Sequence, residues 1–139
     1  MSDGTLRALG VLTALLQSNI DFTPTLVAVE EPETALHPAA SAALRDALRR
    51  ASEDTQVIVT SHSPDLLNDD SVGPDCLLAV LSEGGETKIA PIDGAARKLM
   101  QDHLFSAGEL LRLNQLVPDP VVLENQETKQ ADLFGGASQ

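Results

Sequence analysis

The stretch that decides the fold is Leu26–Pro38, LVAVEEPETALHP. Four apolar residues end abruptly in two carboxylates, Glu30 and Glu31. A buried strand that delivers adjacent acids at its carboxyl end can present them to a magnesium ion and a water molecule, because ligand sites in open α/β sheets lie at that end. One Glu can share the metal's ligand shell while its neighbour polarises the water, since strand side chains alternate between faces. The pair alone also fits an ordinary solvated loop start.

A second strand candidate lies downstream of the first one. Gln56–Thr60, QVIVT, is another short apolar run, and it ends in Ser61–Pro64, SHSP. The segment between the two runs is helical in pattern, so the three elements predict a βαβ unit with parallel strands and both polar tips at one sheet edge. The core-facing stripe of that helix has the spacing of a buried helix face: Ala40, Leu44, Ala47, Leu48 and Ala51.

A third feature lies at the N-terminus. SDGT at residues 2–5 precedes an apolar helical run from Leu6 to Leu16. Ser or Asp at this position fits a helix N-cap. A helix N-terminus with a nearby glycine is also an anion-binding arrangement, and both interpretations stay open from the residues alone.

Together, SDGTLR, LVAVEEPE and VIVTSHSP resemble motifs of the ABC-type ATPase heads, in the branch that includes the RecF, SMC and OLD-like proteins and is often labelled AAA-type. The order is that of a signature motif, a Walker B strand, a D-loop and a switch histidine, and it covers roughly the first half of the chain. The resemblance implies an α/β fold, namely the C-terminal lobe of a P-loop NTPase-like head, with parallel strands, helices and an edge hairpin.

The resemblance also implies roles for individual residues. Glu30, where the family more often has Asp, would help to hold Mg²⁺. Glu31 would be the general base, and His62 would contact the γ-phosphate, in keeping with the positioning and charge stabilisation that phosphoryl transfer requires. Outside this context, His62 would fit a capping or core histidine. Glu33 fits a favourable charge near a helix start.

Two further motifs would act between subunits. The signature residues would touch the γ-phosphate of a nucleotide held by another subunit: Ser2, Asp3 and Gly4. The D-loop would comprise Thr34, Ala35, Leu36 and His37. His37 precedes Pro38, which suits the first position of a helix, so a structural role in that turn is an equal alternative.

The printed sequence contains no G-x-x-x-x-G-K-[ST] loop to cradle phosphates and no Q-loop candidate ahead of the signature. We therefore expect the C-terminal part of a head, whose Walker A loop lies on another segment or chain. A truncated frame, a split protein and a fragment all fit. ATP and Mg²⁺ are expected only in the complete head, and the isolated chain is expected to bind nucleotide weakly or not at all.

Composition limits the class of protein. The 139 residues carry a formal net charge of −12, which argues against direct binding of a nucleic-acid backbone by this piece. The single cysteine, Cys76, excludes an internal disulfide, suits a reducing compartment and is expected to be buried. Neither a membrane span nor a signal peptide is evident. These features predict a cytoplasmic location.

The second half of the chain is less distinctive. Cys76–Leu81 and Thr87–Ile92 flank the turn sequence SEGGE and predict an edge hairpin. Ala95–Leu116 is helical in pattern, with a break near Ser106. Three regions follow: an ATPase core over residues 1–93, C-terminal helices over 94–117, and a flexible tail over 118–139.

The predicted tail holds a short motif. Gln130, Asp132, Leu133 and Phe134 match the pentapeptide Gln-x-Asp/Ser-Leu-Phe, by which bacterial repair and replication proteins dock on the sliding clamp. An extended segment with one amide and two apolar anchors can fill a preformed pocket. A chance match of five residues is an equal alternative.

The sequence therefore predicts part of an ATP-binding, ATP-hydrolysing head that forms a homodimer on nucleotide, in DNA repair, chromosome maintenance or phage defence. A catalytically silent module that binds a partner ATPase is the alternative. A metal-dependent nuclease using Glu30, Glu31 and Glu33 ranks last, because it gives SDGTLR and His62 no role.

Overall fold

The computed structural model describes residues 3–15, 25–36, 40–69 and 71–134. They form two compact units, one ending at Leu66 and the other beginning at Leu67. The predicted hairpin belongs to the second unit. Each unit is mixed in secondary structure, and the first contains the predicted parallel strands.

The first unit is a βαβ arrangement preceded by a helix. Strands β1 and β2 are parallel and in register from Leu26 opposite Gln56 to Glu30 opposite Thr60, which confirms the predicted pairing. Elements follow in this order: helix α1 (Asp3–Leu15), strand β1 (Leu26–Glu30), a 3-10 turn (Pro32–Ala35), helix α2 (Ser41–Ala51), strand β2 (Gln56–Thr60) and the short helix α3 (Pro64–Leu67).

The core of this unit lies between the two long helices and one face of the strands. Leu15 of α1 and Ala47 of α2 are buried together, and Val27 and Val57 pack against them from β1 and β2. In the predicted stripe of α2, Leu44, Ala47 and Ala51 are buried, and Ala47 and Ala51 belong to this core. Leu48 is only partly buried, although it packs against the same core.

The opposite face of the strands is open. Leu26 and Ile58, which point away from the helices, are 48% and 49% exposed. Parallel sheets normally have both faces covered by other elements, and a two-stranded sheet is too small to be stable by itself. This unit therefore presents a sheet face that is uncovered in the described residues and on which Leu26 and Ile58 are the large apolar residues.

The second unit combines an antiparallel hairpin with helices. Its core consists of Ala79, Ile92, Ala96, Met100, Ala107 and Leu110, and Leu110 is fully buried. The elements after the 3-10 turn at Pro74–Cys76 are β3 (Leu78–Glu83), β4 (Glu86–Pro91), α4 (Gly94–Gln101), α5 (Ala107–Arg112) and α6 (Pro120–Phe134).

The hairpin confirms the predicted SEGGE turn, but among the described residues β3 and β4 form a two-stranded sheet of their own, whereas the sequence predicted a hairpin at the edge of the parallel sheet. Gly84 and Gly85 connect β3 to β4 with φ angles of +60° and +86°. Two positive φ angles are typical of a type I′ turn, whose twist matches that of the flanking strands. The strand β3 begins two residues later than predicted, because Pro74 starts a 3-10 turn that includes Cys76. Cys76 is consequently exposed, and its predicted burial is wrong.

The predicted helix break near Ser106 has a local cause. Helix α4 ends before His103, which adopts a left-handed conformation with φ of 53°. Helix α5 begins with a capping box in which Ser106 and Glu109 satisfy each other's backbone N–H groups. A capping box is a strong start signal, so one periodic apolar pattern is divided into two helices.

The segment predicted as a flexible tail is helical as far as Phe134. Asp119 explains the start of helix α6, because its Oδ1 accepts hydrogen bonds from the amides of Val121 and Val122. Pro120 occupies the first helical position, where its missing N–H costs nothing. The polar composition that suggested flexibility is also rich in good helix formers such as Glu, Gln and Lys.

Among the described helices, none is long and apolar enough to cross a membrane.

Candidate active site

The candidate site lies where the two parallel strands end. Glu30 is the last residue of β1 and is paired with Thr60, the last residue of β2. The loops that follow therefore leave the sheet at the same edge, as the sequence predicted. Glu31 and His62 follow one and two residues after the two strand ends.

Glu31 has an unusual backbone conformation. Its φ and ψ angles are 41° and 54°, in the left-handed region, which costs a residue with a side chain about 1 kcal/mol or more. Three hydrogen bonds hold it there. Its amide donates to the Thr60 carbonyl at 2.9 Å, and its carbonyl accepts from the Thr34 amide at 3.1 Å and the Thr34 hydroxyl at 2.9 Å. Strained residues held by their surroundings concentrate at functional sites.

Glu31 and His62 face each other across the two loops. The His62 Nε2 lies 3.5 Å from the Glu31 Oε1. The His62 side chain is 89% exposed, whereas that of Glu31 is 42% exposed. The pair is thus open to solvent and accessible to a ligand at the carboxyl edge of the sheet.

Glu33 connects the two loops directly. Its Oε1 accepts a 2.5 Å hydrogen bond from the Ser61 hydroxyl and a 3.2 Å hydrogen bond from the His62 amide. The Ser61 hydroxyl oxygen in turn accepts from the Ser63 amide at 3.0 Å. Both parts of the predicted site are therefore joined through one carboxylate.

The remaining oxygen of this carboxylate is less well satisfied. The Glu33 Oε2 is buried and has no hydrogen-bond partner among the residues that the structure describes. A buried acceptor without a partner is expensive and uncommon in native proteins. Glu33 does lie in the first turn of the 3-10 helix, as a charge near a helix start, but its carboxylate also binds Ser61 and His62 of the other loop.

The sequence assigned neither Glu33 nor Ser61 to the ATPase site, and it named Glu33 only in the nuclease alternative. The signal was weak, because a Glu after Glu-Glu-Pro and a Ser before a His each fit many loops. Their partnership depends on the pairing of β1 with β2, which brings residues 28 positions apart within hydrogen-bond distance.

The loop after β2 has a second anchor. The Arg45 side chain of α2 donates a 2.6 Å hydrogen bond to the Asp65 carbonyl in α3. The Ser63 hydroxyl caps the same helix, accepting from the Leu66 amide at 3.3 Å. Arg45 therefore helps to fix the segment that follows His62.

Glu30 is the residue to which the sequence assigned metal binding, and it would be a single protein ligand. In the described parts of the chain, no group of three or more His, Cys, Asp or Glu side chains is arranged around a common point. Mg²⁺ in phosphate-transfer sites is commonly held by one or two carboxylates together with waters and substrate phosphates. An exposed strand-end carboxylate beside Glu31 fits that donor set.

The signature and D-loop residues are only partly described. Ser2 and His37 lie outside the described residues. Asp3 and Gly4 begin helix α1, and α1 lies against the 3-10 turn that contains Glu33. The described D-loop residues come directly after Glu33 in the chain: Thr34, Ala35 and Leu36. The Leu36 amide donates a hydrogen bond to the Glu33 carbonyl at 3.0 Å.

The comparison with protein families bears on this same region. Residues 1–68 match the family described as "AAA domain, putative AbiEii toxin, Type IV TA system". The match supports an AAA-type ATPase fragment. It spans all three motifs that carry the sequence resemblance, together with the strand ends and both loops of the candidate site. A comparison with curated proteins gives no match.

Proposed function

We propose that this chain supplies the hydrolytic edge of an ATPase head, with Glu31 as general base and His62 as the γ-phosphate contact. The observation that carries the proposal is the 3.5 Å approach of the His62 Nε2 to the Glu31 Oε1 at the carboxyl edge of a parallel pair of strands. The family match over residues 1–68 supports the same class of activity.

The chain's residues would divide the chemistry between them. Glu31 would orient the attacking water and accept its proton, and its backbone is already fixed by Thr60 and Thr34. His62 would donate a hydrogen bond to the transferred phosphate, which an exposed imidazole can reach. Bound Mg²⁺ would neutralise charge on the phosphate oxygens, and Glu30 would help to hold it.

The phosphates would be held by another segment or chain that carries a Walker A loop. The open face at Leu26 and Ile58 supports this part of the proposal, since a parallel sheet needs a covering layer on each side. In a homodimer of heads, the signature residues Ser2, Asp3 and Gly4 would complete the partner's site.

A biological setting is supported by the matched family's description, which names a "putative AbiEii toxin" of a "Type IV TA system". Among DNA repair, chromosome maintenance and phage defence, that description favours a defence role. A defence ATPase would use nucleotide-dependent closure of two heads to control an attached activity.

The test requires the assembled head. With a Walker A-bearing segment restored, Glu31→Gln is expected to lower kcat at least a hundredfold while leaving ATP binding unchanged, because only the base is lost. Glu53→Gln, on an exposed turn of the same unit, is the matched control. Unchanged turnover in Glu31→Gln would contradict the assignment of Glu31 as the base.

Micromolar ATP affinity of the isolated chain, measured by calorimetry, would contradict the need for a separate phosphate cradle.

A silent module that binds a partner head is the second candidate, and the open sheet face favours it equally. It predicts that the assembled complex forms but hydrolyses no ATP, with or without Glu31→Gln. The nuclease alternative has no support in the described residues, which lack a three-carboxylate cluster.

Docking on a sliding clamp is a separate proposal for the C-terminal motif. Residues 130–134 lie in the last turns of α6, so binding in an extended form requires those turns to unwind. Helix ends open at small free-energy cost. Binding of a peptide covering residues 126–139 to clamp, lost on joint Leu133→Ala and Phe134→Ala substitution, is the expected result. No binding at high micromolar peptide would end the proposal.

A further inference from the structure

We propose that Glu33 is the positioning residue of the site, and that its carboxylate sets the place of His62 relative to Glu31. The effect of Glu33 on hydrolysis rests on the proposed function, but the hydrogen bonds that Glu33 makes do not depend on it. Glu33 Oε1 is the one acceptor shared by the Ser61 hydroxyl and the His62 amide.

The need for a positioning residue follows from exposure. The His62 side chain is 89% exposed, so packing against neighbouring side chains cannot hold its ring. Its position is therefore determined through its backbone. Glu33 bonds the His62 amide directly and holds the flanking residues through Ser61, whose hydroxyl accepts from the Ser63 amide.

Glu33 is also placed to transmit the position of Glu31. The two residues belong to the same short turn, in which the Glu31 carbonyl accepts from Thr34 and the Glu33 carbonyl accepts from Leu36. A shift of this turn would move the Glu31 and Glu33 carboxylates together. His62 would follow, because its amide is bonded to Glu33.

The chemistry of the residue supports positioning over simple packing. A carboxylate accepts charge-assisted hydrogen bonds, which are about twice as strong as neutral ones. Its second oxygen is buried and has no partner among the described residues. Glutamine would keep the Oε1 acceptor but lose the charge, and alanine would lose both.

Nuclear magnetic resonance of the full chain tests the inference without nucleotide. In Glu33→Ala we expect the nuclear Overhauser contact between the His62 ring and the Glu31 side chain to disappear. Exchange of the His62 and Ser63 amides should accelerate about tenfold or more relative to the wild type. Exchange of the β2 amides should change far less. Glu33→Gln should recover part of the protection and the ring contact, and Glu53→Ala should resemble the wild type.

A merely structural role gives a different pattern. The His62 and β2 amides would then accelerate in parallel, and the ring contact would persist in the folded molecules. That result in either Glu33 variant would overturn the inference. If Glu33→Ala does not fold, Ser61→Ala serves as the second variant: it removes one of the two bonds, and unchanged exchange at Ser63 together with an unchanged ring contact would also overturn the inference.

An ATPase measurement separates this inference from the proposed function. In the assembled head, Glu33→Ala should lower kcat with little change in KM for ATP, since the positioning acts on hydrolysis. If the resonance results are as expected but the wild-type assembly hydrolyses no ATP, the proposed function fails while the positioning role of Glu33 stands.

Discussion

Replacing Glu31 with glycine should stabilise the protein while removing its proposed base. Glu31 has φ of 41° and ψ of 54°. In this region the conformational energy of a residue with a Cβ is raised by about 1–2 kcal/mol, whereas that of glycine is not. Glycine's greater freedom in the unfolded chain costs about 0.5–1 kcal/mol. The difference is a gain of about 0–1.5 kcal/mol in the free energy of unfolding. The lost approach to His62 subtracts little, because both side chains are substantially exposed.

Two variants isolate this backbone contribution. Glu31→Ala removes the same side chain but keeps the Cβ, so it should be less stable than Glu31→Gly. Glu30→Gly, one residue earlier in the extended strand β1, should lower stability by about 0.5–1 kcal/mol, since glycine weakens a strand. If glycine raises the free energy of unfolding at position 31 and lowers it at position 30, lost side-chain contacts would not explain the difference.

Urea unfolding followed by far-ultraviolet circular dichroism measures these differences. Because the chain contains two compact units, amide exchange of β1 and β2 should accompany it and assign the change to the first unit. If Glu31→Gly is no more stable than Glu31→Ala, the left-handed conformation does not carry the strain assigned to it. The reasoning from backbone geometry would then be wrong.

Further predictions concern the second unit. Leu110→Ala should lower the free energy of unfolding by about 2–5 kcal/mol, because Leu110 is fully buried. Leu113→Ala, at a position that is 54% exposed, should change it by less than about 0.5 kcal/mol. Equal effects of the two substitutions in urea unfolding would contradict the assigned core. Hydrogen bonds from the Ser106 amide and hydroxyl lower the pKa of Glu109 below its ordinary value of 4.5. Its stabilising contribution is therefore present above that pH and lost as the pH falls through the lowered value, so Glu109→Gln should lose less stability on acidification than the wild type. Asp119→Ala should reduce helicity by dichroism and cost about 1 kcal/mol, as expected for a lost N-cap; unchanged helicity would mean that α6 does not depend on this cap.

The local pattern of the sequence determined much of the first unit. The short apolar runs in LVAVE and QVIVT, with a helical stripe between them, were sufficient to predict two parallel strands that end at one edge, since connection and strand direction are coupled in a βαβ unit. The two glycines of SEGGE similarly predicted the hairpin turn. These features depend on residues that are near each other in the sequence.

Features that depend on competing local signals were less predictable. The polar segment after Pro118 has a composition typical of both linkers and exposed helices, and the capping carboxylate of Asp119 decides for a helix. Cys76 begins an apolar run, but Pro74 turns the chain before the strand starts and leaves the thiol exposed.

The sequence by itself determined which residues end the two strands, and so named Glu30, Glu31 and His62 as candidates. The tertiary structure alone decided how they are arranged. The left-handed turn at Glu31 and the hydrogen bonds from Glu33 to Ser61 and His62 exist only after β1 and β2 pair. Strand ends are indicated by the local change from apolar to polar residues, but hydrogen bonds between loops far apart in the chain are fixed by the register of the sheet.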